Sequence, residues 1–243
     1  MPAKDNPLPS VWTRPGKREQ PALSREQIVA EAVVLLDADG IEALSMRRLG
    51  AKLGAGATSL YRHVASKDEL MELVVDKVYG EIEVTVPDDP DDWRTAIEGF
   101  AHTLRATILR HPWIATALGQ TGMAYLGPNI MRMTDGTLGV LETAGFPLLA
   151  ADRTISLVSA YVIGFSTNEA AWLTVVARSG LSEQEWLERL RPAAEAAAQP
   201  YPRLRALYAA AWNTDEDQFT DGLTSILDSV ATRYRAASGS PRT

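Results

Sequence analysis

The sequence predicts an all-α protein, with a small N-terminal three-helix domain carrying a helix-turn-helix and a larger helical domain after it. Three observations predict this. Apolar residues recur at three- and four-residue spacing through most of the chain. Capping residues and Gly or Pro stops fall at the ends of those stretches. No alternating strand pattern of useful length occurs. The 243 residues suffice for one large or two small domains. Hydrophobic residues at 46% and charged residues at 23% are ordinary for a globular chain. The absence of cysteine excludes disulfides and thiolate metal sites.

Residues 1–22 are rich in Pro and polar residues and lack periodicity, which reads as a disordered arm. It is either a solvated tail or a basic arm whose Arg14, Lys17 and Arg18 lie on phosphates or in a minor groove. The N-terminus has no apolar run of the signal-peptide kind. The first helix starts at Ser24, which with Gln27 has the spacing of a capping box. Ile28, Ala32, Leu35 and Leu36 form its stripe, and Gly40 stops it. Ser45 caps a second helix running to about Leu53, and a third covers about Thr58 to Val64. Ser66 and Glu69 box the start of a fourth, through Leu70, Leu73, Val74 and Val78.

Pro87 to Asp92 reads as a surface loop ending in an acidic N-cap. Helices follow over Trp93–Leu109, Trp113–Leu118, Pro128–Ala144 and Leu148 to about Ala177, the last long and apolar. Its longest uncharged stretch, Thr154–Asn168, falls short of the roughly 20 residues that span a bilayer, so no membrane partner is expected. Ser182 and Glu185 box another helix start. Pro200, Pro202 and Asn213 punctuate the next segment, and a final helix carries Phe219, Leu223, Ile226, Leu227, Val230 and Tyr234 on one stripe. The organisation is therefore an arm at 1–22, a first domain at 23–80, a second at 81–236 and a flexible tail at 237–243.

Residues 45–64 carry the chemistry. Leu49 and Leu53 share one helical face, and Leu60 and Val64 another, with Gly54-Ala55-Gly56 as permissive backbone at the corner. Thr58, Ser59, Tyr61, Arg62 and His63 surround the apolar anchors of the second of these helices, polar groups suited to a major groove. The net charge of −7 speaks against nucleic acid only superficially. From Arg14 to Lys67 nine basic residues face six acidic ones, and none from Arg47 to Lys67 is acidic. Affinity for DNA follows this local charge.

Residues 24–80 resemble the DNA-binding domain of the tetracycline-repressor (TetR) family. The resemblance is carried by Ser24-Arg-Glu-Gln-Ile, Asp39-Gly40, Leu44-Ser45-Met46-Arg47-Arg48-Leu49, Leu53-Gly54, Ser59-Leu60-Tyr61-Arg62-His63-Val64 and Ser66-Lys67-Asp68-Glu69-Leu70. The remainder resembles the larger domain of the same family through Arg110-His111-Pro112-Trp113, Leu126-Gly127-Pro128-Asn129, Ala144-Gly145-Phe146, the Tyr161–Glu169 helix and Phe219-Thr-Asp-Gly222-Leu223 with Leu227-Asp228. The resemblance implies a homodimeric repressor. Its third helix enters the major groove of double-stranded operator DNA, and a small-molecule effector moves the two heads. Arg47 matches a basic contact, Ala57, Thr58 and Ser59 the base-reading positions, and Tyr61 and His63 phosphate-facing positions. Lys67 matches the lysine opening the fourth helix, and Arg62 is expected at a phosphate. Packing is the alternative for Tyr61 and His63, and simple solvation for Lys67. Tyr161, Phe219, Leu223, Ile226, Leu227 and Val230 are the expected dimer interface.

Tetracycline-binding members hold a metal through a histidine before a Leu-Gly pair and an acidic group from the dimer helix. Here Ala117 precedes Leu118-Gly119, and Asn168, beside Glu169, stands near the acidic position. No metal or cofactor is therefore expected, and the effector is expected to be uncharged or weakly polar. Its candidate wall is Phe100, His102, Trp113, Met123, Met131, Phe165, Asn168 and Trp172, since aromatic and Met side chains suit an apolar ligand. Asp88-Asp89-Pro90-Asp91-Asp92 superficially resembles an aspartate-rich metal motif, but Pro90 splits the run. The sequence thus reads as a cytoplasmic, ligand-responsive repressor binding a palindromic operator, without catalytic activity. The alternatives are a regulator whose larger domain only dimerises and, remotely, an all-α metal-dependent enzyme.

Overall fold

The computed structural model describes residues 23–120, 126–211 and 217–238, and among them the chain is helical without strands. Four helices make the head: α1 (Arg25–Asp39), α2 (Met46–Lys52), α3 (Ala57–Leu60) and α4 (Lys67–Tyr79). The body holds α5 (Trp93–Arg110), α6 (Trp113–Gln120), α7 (Pro128–Thr143), α8 (Leu148–Ser179), α9 (Glu183–Ala198), α10 (Pro202–Ala211) and α11 (Gln218–Ser238). The arm with Arg14, Lys17 and Arg18, as well as Met123 and Asn213, lies outside the described residues. The expected tail at 237–243 begins two residues inside α11.

The helix starts follow their caps. Ser24 and Ser182 form complete capping boxes with Gln27 and Glu185. At α4, Ser66 accepts from the Glu69 N–H, but the Glu69 carboxylate takes the N–H of Ala65, one residue earlier than a box requires. Gly40 ends α1 at φ 77°, a left-handed backbone that favours glycine. Pro192 is the tenth residue of α9, and the Ala-rich residues after it continue the helix to Ala198.

One apolar core runs through head and body without interruption, from Ile28 to Val230. In the body, α8 is the hub, packing on α5, α7, α9 and α11. The uncharged Thr154–Asn168 stretch understated this helix. Its 32 residues are long and apolar enough to cross a membrane by length and composition, and only 28% of the most apolar window is buried within the subunit. Leu149, Leu157, Leu173 and Val175 stay exposed along it.

Two tyrosines lock α11 to the body. Tyr161 on α8 donates its hydroxyl to the carbonyls of Phe219 (3.0 Å) and Gln218 (3.2 Å). It lies so close to Gly222 that a Cβ there would meet the phenol oxygen at 2.1 Å. Near the other end of α11, Tyr234 donates to the Ala144 carbonyl at 3.0 Å and stacks on Phe146 at 4.0 Å between centroids.

Candidate functional site

Leu49 and Leu60 are fully buried and Val64 almost so, and they lock α2 and α3 together. The corner is tighter than the glycines of the sequence suggested. Gly54 adopts φ 64° and requires glycine, whereas Gly56 has ordinary extended backbone and caps α3. The close approach falls at Gly50 inside α2, where a Cβ would meet the Ala55 carbonyl oxygen at 2.7 Å. The third helix is also shorter than expected. It spans Ala57–Leu60, and Tyr61 to His63 form turns held by N–H donation to the carbonyls of Ala57, Ser59 and Leu60. The Arg25 guanidinium donates to the His63 carbonyl at 3.2 Å and ties this turn to α1.

On the outer surface of this corner Arg47, Thr58, Tyr61, Arg62 and Lys67 are exposed, and Ala57, Ser59 and His63 half-buried. Tyr61 is 50% exposed, which argues against the packing alternative for it. Arg48 is committed to Asp39 at 2.7 Å and Lys52 to Glu31 at 3.7 Å. Arg47, Arg62 and Lys67 enter no ion pair among the described residues, so their charge is available to a phosphate.

The inner surface of the head is tied to the body by two of its own carboxylates, Asp37 and Asp76, and Glu81 at the domain boundary flanks the first tie. Asp37 near the end of α1 accepts from the indole N–H of Trp113 at 2.7 Å and faces Nδ1 of buried His111 at 2.6 Å. Glu81, just beyond α4, faces the other ring nitrogen of His111 at 3.4 Å and pairs with Arg110. Asp76 on α4 accepts from the backbone N–H groups of Asn129 (2.9 Å) and Ile130 (3.1 Å) and from the Asn129 side chain (2.9 Å). It thereby satisfies the open N–H groups at the start of α7. A Cβ at Gly127 would overlap Asp76 at 2.2 Å, so glycine makes this approach possible.

Three of the candidate wall residues meet. Phe165, Asn168 and Trp172 line a cleft of ≈ 560 Å³ with Arg105, Glu169, Glu183, Asp217, Gln218 and Phe219. His102 is exposed and meets Phe219 edge-on at 5.2 Å, outside the lining. The others lie elsewhere. Phe100 is buried in the common core and Trp113 serves the Asp37 tie, each consumed by packing. Met131 lies 44% exposed on the outer side of α7, in a groove with Arg132, Asp135 and Leu138. The cleft's charged residues escaped sequence reasoning because they come from four separate segments. Glu169, next to Asn168, was the one signal.

Most of the expected dimer stripe lies inside the subunit. Phe219, Leu223, Leu227 and Val230 are buried within their own subunit, Tyr161 is tied to α11, and Ile226 is half-buried. A single apolar stripe on α11 covers the subunit core and is used up there.

A head with free cations on one side and carboxylate ties to a helical body on the other defines a DNA-binding helix-turn-helix regulator. Residues 28–74 match the family described as bacterial regulatory proteins, tetR family, and residues 86–234 match the tetracyclin repressor-like C-terminal domain. The chain belongs to the TetR family of transcriptional regulators. It is 41% identical over 165 residues to an HTH-type transcriptional regulator of Saccharopolyspora erythraea, covering 67% of this chain and 69% of that one. It is 32% identical over 219 residues to the HTH-type transcriptional repressor DrrR1 of Streptomyces coeruleorubidus, covering 89% and 80%. Apo ActR from Streptomyces coelicolor superposes with a TM-score of 0.74 at 29% identity, over 90% of this chain and 99% of ActR. ActR in complex with actinorhodin gives 0.74 at 30%, over 88% and 98%.

Proposed function

We propose that the protein is a homodimeric, ligand-responsive repressor that holds a two-fold operator and releases it when a small molecule enters the body. The observation that carries this reading is the pair of carboxylate ties. Asp37 and Asp76 fasten the head to α6 and to the start of α7, so a displacement in the body moves the DNA-contacting face. Arg47, Arg62 and Lys67 serve as phosphate contacts, and Ala57, Thr58 and Ser59 read bases. The ligand-bound ActR structure supports ligand control in general, and the repressor relative supports repression. The exposed apolar side of α8 supports a subunit partner, with roughly 2,000 Å² or more buried in a permanent pairing. A repressor of this kind would act in the cytoplasm, where its operator lies.

A ligand releases DNA only if it favours the non-binding conformation. Selection from a random duplex library, followed by release assays with a compound collection, tests the proposal. The expected result is a two-fold motif and at least one compound that lowers its affinity. An asymmetric or absent motif overturns operator recognition. A motif that no compound affects leaves a regulator whose body only dimerises.

A further inference from the structure

We propose that the cleft between α5, α8, α9 and the start of α11 takes an aromatic organic cation as the effector. This rests on the ligand-responsive reading and names its ligand class. The walls are aromatic through half-buried Phe165 and Trp172, with fully buried Phe219 behind them, edge to face with Phe165 at 5.4 Å. The protein's own Arg105 shows what such a wall accepts. Its guanidinium carbon lies 4.8 Å from the Phe219 ring centroid, and its nitrogens reach both oxygens of Glu169 at 2.5 and 2.7 Å. A flat, delocalised cation thus rests on an aromatic face with a carboxylate at its edge.

That pair is closed, since the Glu169 hydrogen bond holds the Arg105 guanidinium more firmly charged than usual, against the opposing effect of burial. The two other lining carboxylates accept hydrogen bonds only from neutral groups, although Asp217 also feels the charge of Arg105. Glu183 accepts from the Trp172 indole N–H at 2.7 Å. Asp217 accepts from the Thr220 hydroxyl at 2.6 Å and its N–H at 3.3 Å, which hold its carboxyl below the usual range and keep it ionised. Three carboxylates face one guanidinium, so the lining carries a net charge of −2. An anion would be repelled and a neutral ring would gain nothing from the rim. A cationic ring uses both wall and rim. This departs from the uncharged or weakly polar effector expected from the sequence, because the carboxylates that motivate it are gathered only by the fold.

The test is titration of the full chain, in the absence of DNA, with 1-methylquinolinium and its uncharged isostere 1-methylnaphthalene, followed by tryptophan fluorescence. The cation is expected to bind about tenfold more tightly at low salt, an advantage that shrinks as salt rises. Glu183→Gln and Asp217→Asn are each expected to remove about threefold, and the double variant nearly all of the preference, with operator affinity and helical circular dichroism unchanged. Equal or tighter binding of the naphthalene, no binding of either, or a preference untouched by the double variant overturns the inference. A neutral compound that releases the operator from this cleft leaves ligand control standing and removes only the cation. A cation that binds here while the operator stays held does the reverse.

Discussion

At the scale of the residue, the corner between α2 and α3 depends on two glycines for different reasons. Gly54 supplies a left-handed backbone, while Gly50 leaves room for the Ala55 carbonyl. Gly56 meets nothing within 4 Å and has ordinary extended backbone. Gly50→Ala is therefore expected to destabilise the fold by about 2 kcal/mol through overpacking and to weaken operator binding. Gly56→Ala should leave the unfolding midpoint within the roughly 1 kcal/mol of an altered cap. Urea titrations of both variants check the contrast, and equal effects would remove the distinction. The sequence showed Gly54 and Gly56 because they flank a turn between apolar stripes. Gly50 looked like an ordinary helical position, since its constraint comes from backbone five residues away.

Among the elements, α8 and α11 divide work that the sequence assigned to both. Periodicity identified the stripe of α11 correctly but not its destination, because an apolar stripe looks the same whether its own subunit or a second copy covers it. Leu227 is fully buried, whereas Leu157 on α8 is 47% exposed beside a groove formed with Phe146, Val230 and Tyr234. Leu227→Ala is expected to cost 2–5 kcal/mol, roughly, in subunit stability through a core cavity. Leu157→Glu is expected to keep the helical fold but place a charge in the pairing face and yield monomers. Light scattering and thermal unfolding on both variants separate the roles. Dissociation by Leu227→Ala with an unchanged melting temperature would reverse the assignment.

For the molecule as a whole, the helix order and nearly every helix start were legible because caps and stops are local. The ties between head and body were not. His111 and Trp113 stood out as part of a motif, but their partner Asp37 lies more than seventy residues earlier. Long-range pairing of this kind leaves no periodic trace. If the ties carry the signal, Asp37→Ala and Asp76→Ala should bind the operator within about threefold of the original. Both should also need at least tenfold more effector for release, a coupling loss of about 1.4 kcal/mol. Fluorescence anisotropy with labelled operator measures both quantities. Unchanged release in both variants would show that the signal travels elsewhere.

The uninterrupted core has a consequence for building hybrids from relatives of different operator preference. A graft cut at residue 80 treats the head as a detachable cassette, yet Asp37 and Asp76 would travel with it while His111, Trp113 and Asn129 stayed behind. Each junction would then combine a carboxylate from one ancestor with donors from another. Such a chimera could still read its operator and no longer obey its effector. On the proposed reading, exchangeable specificity resides in the few outward side chains of α2, α3 and the start of α4, which can be replaced without opening the seam.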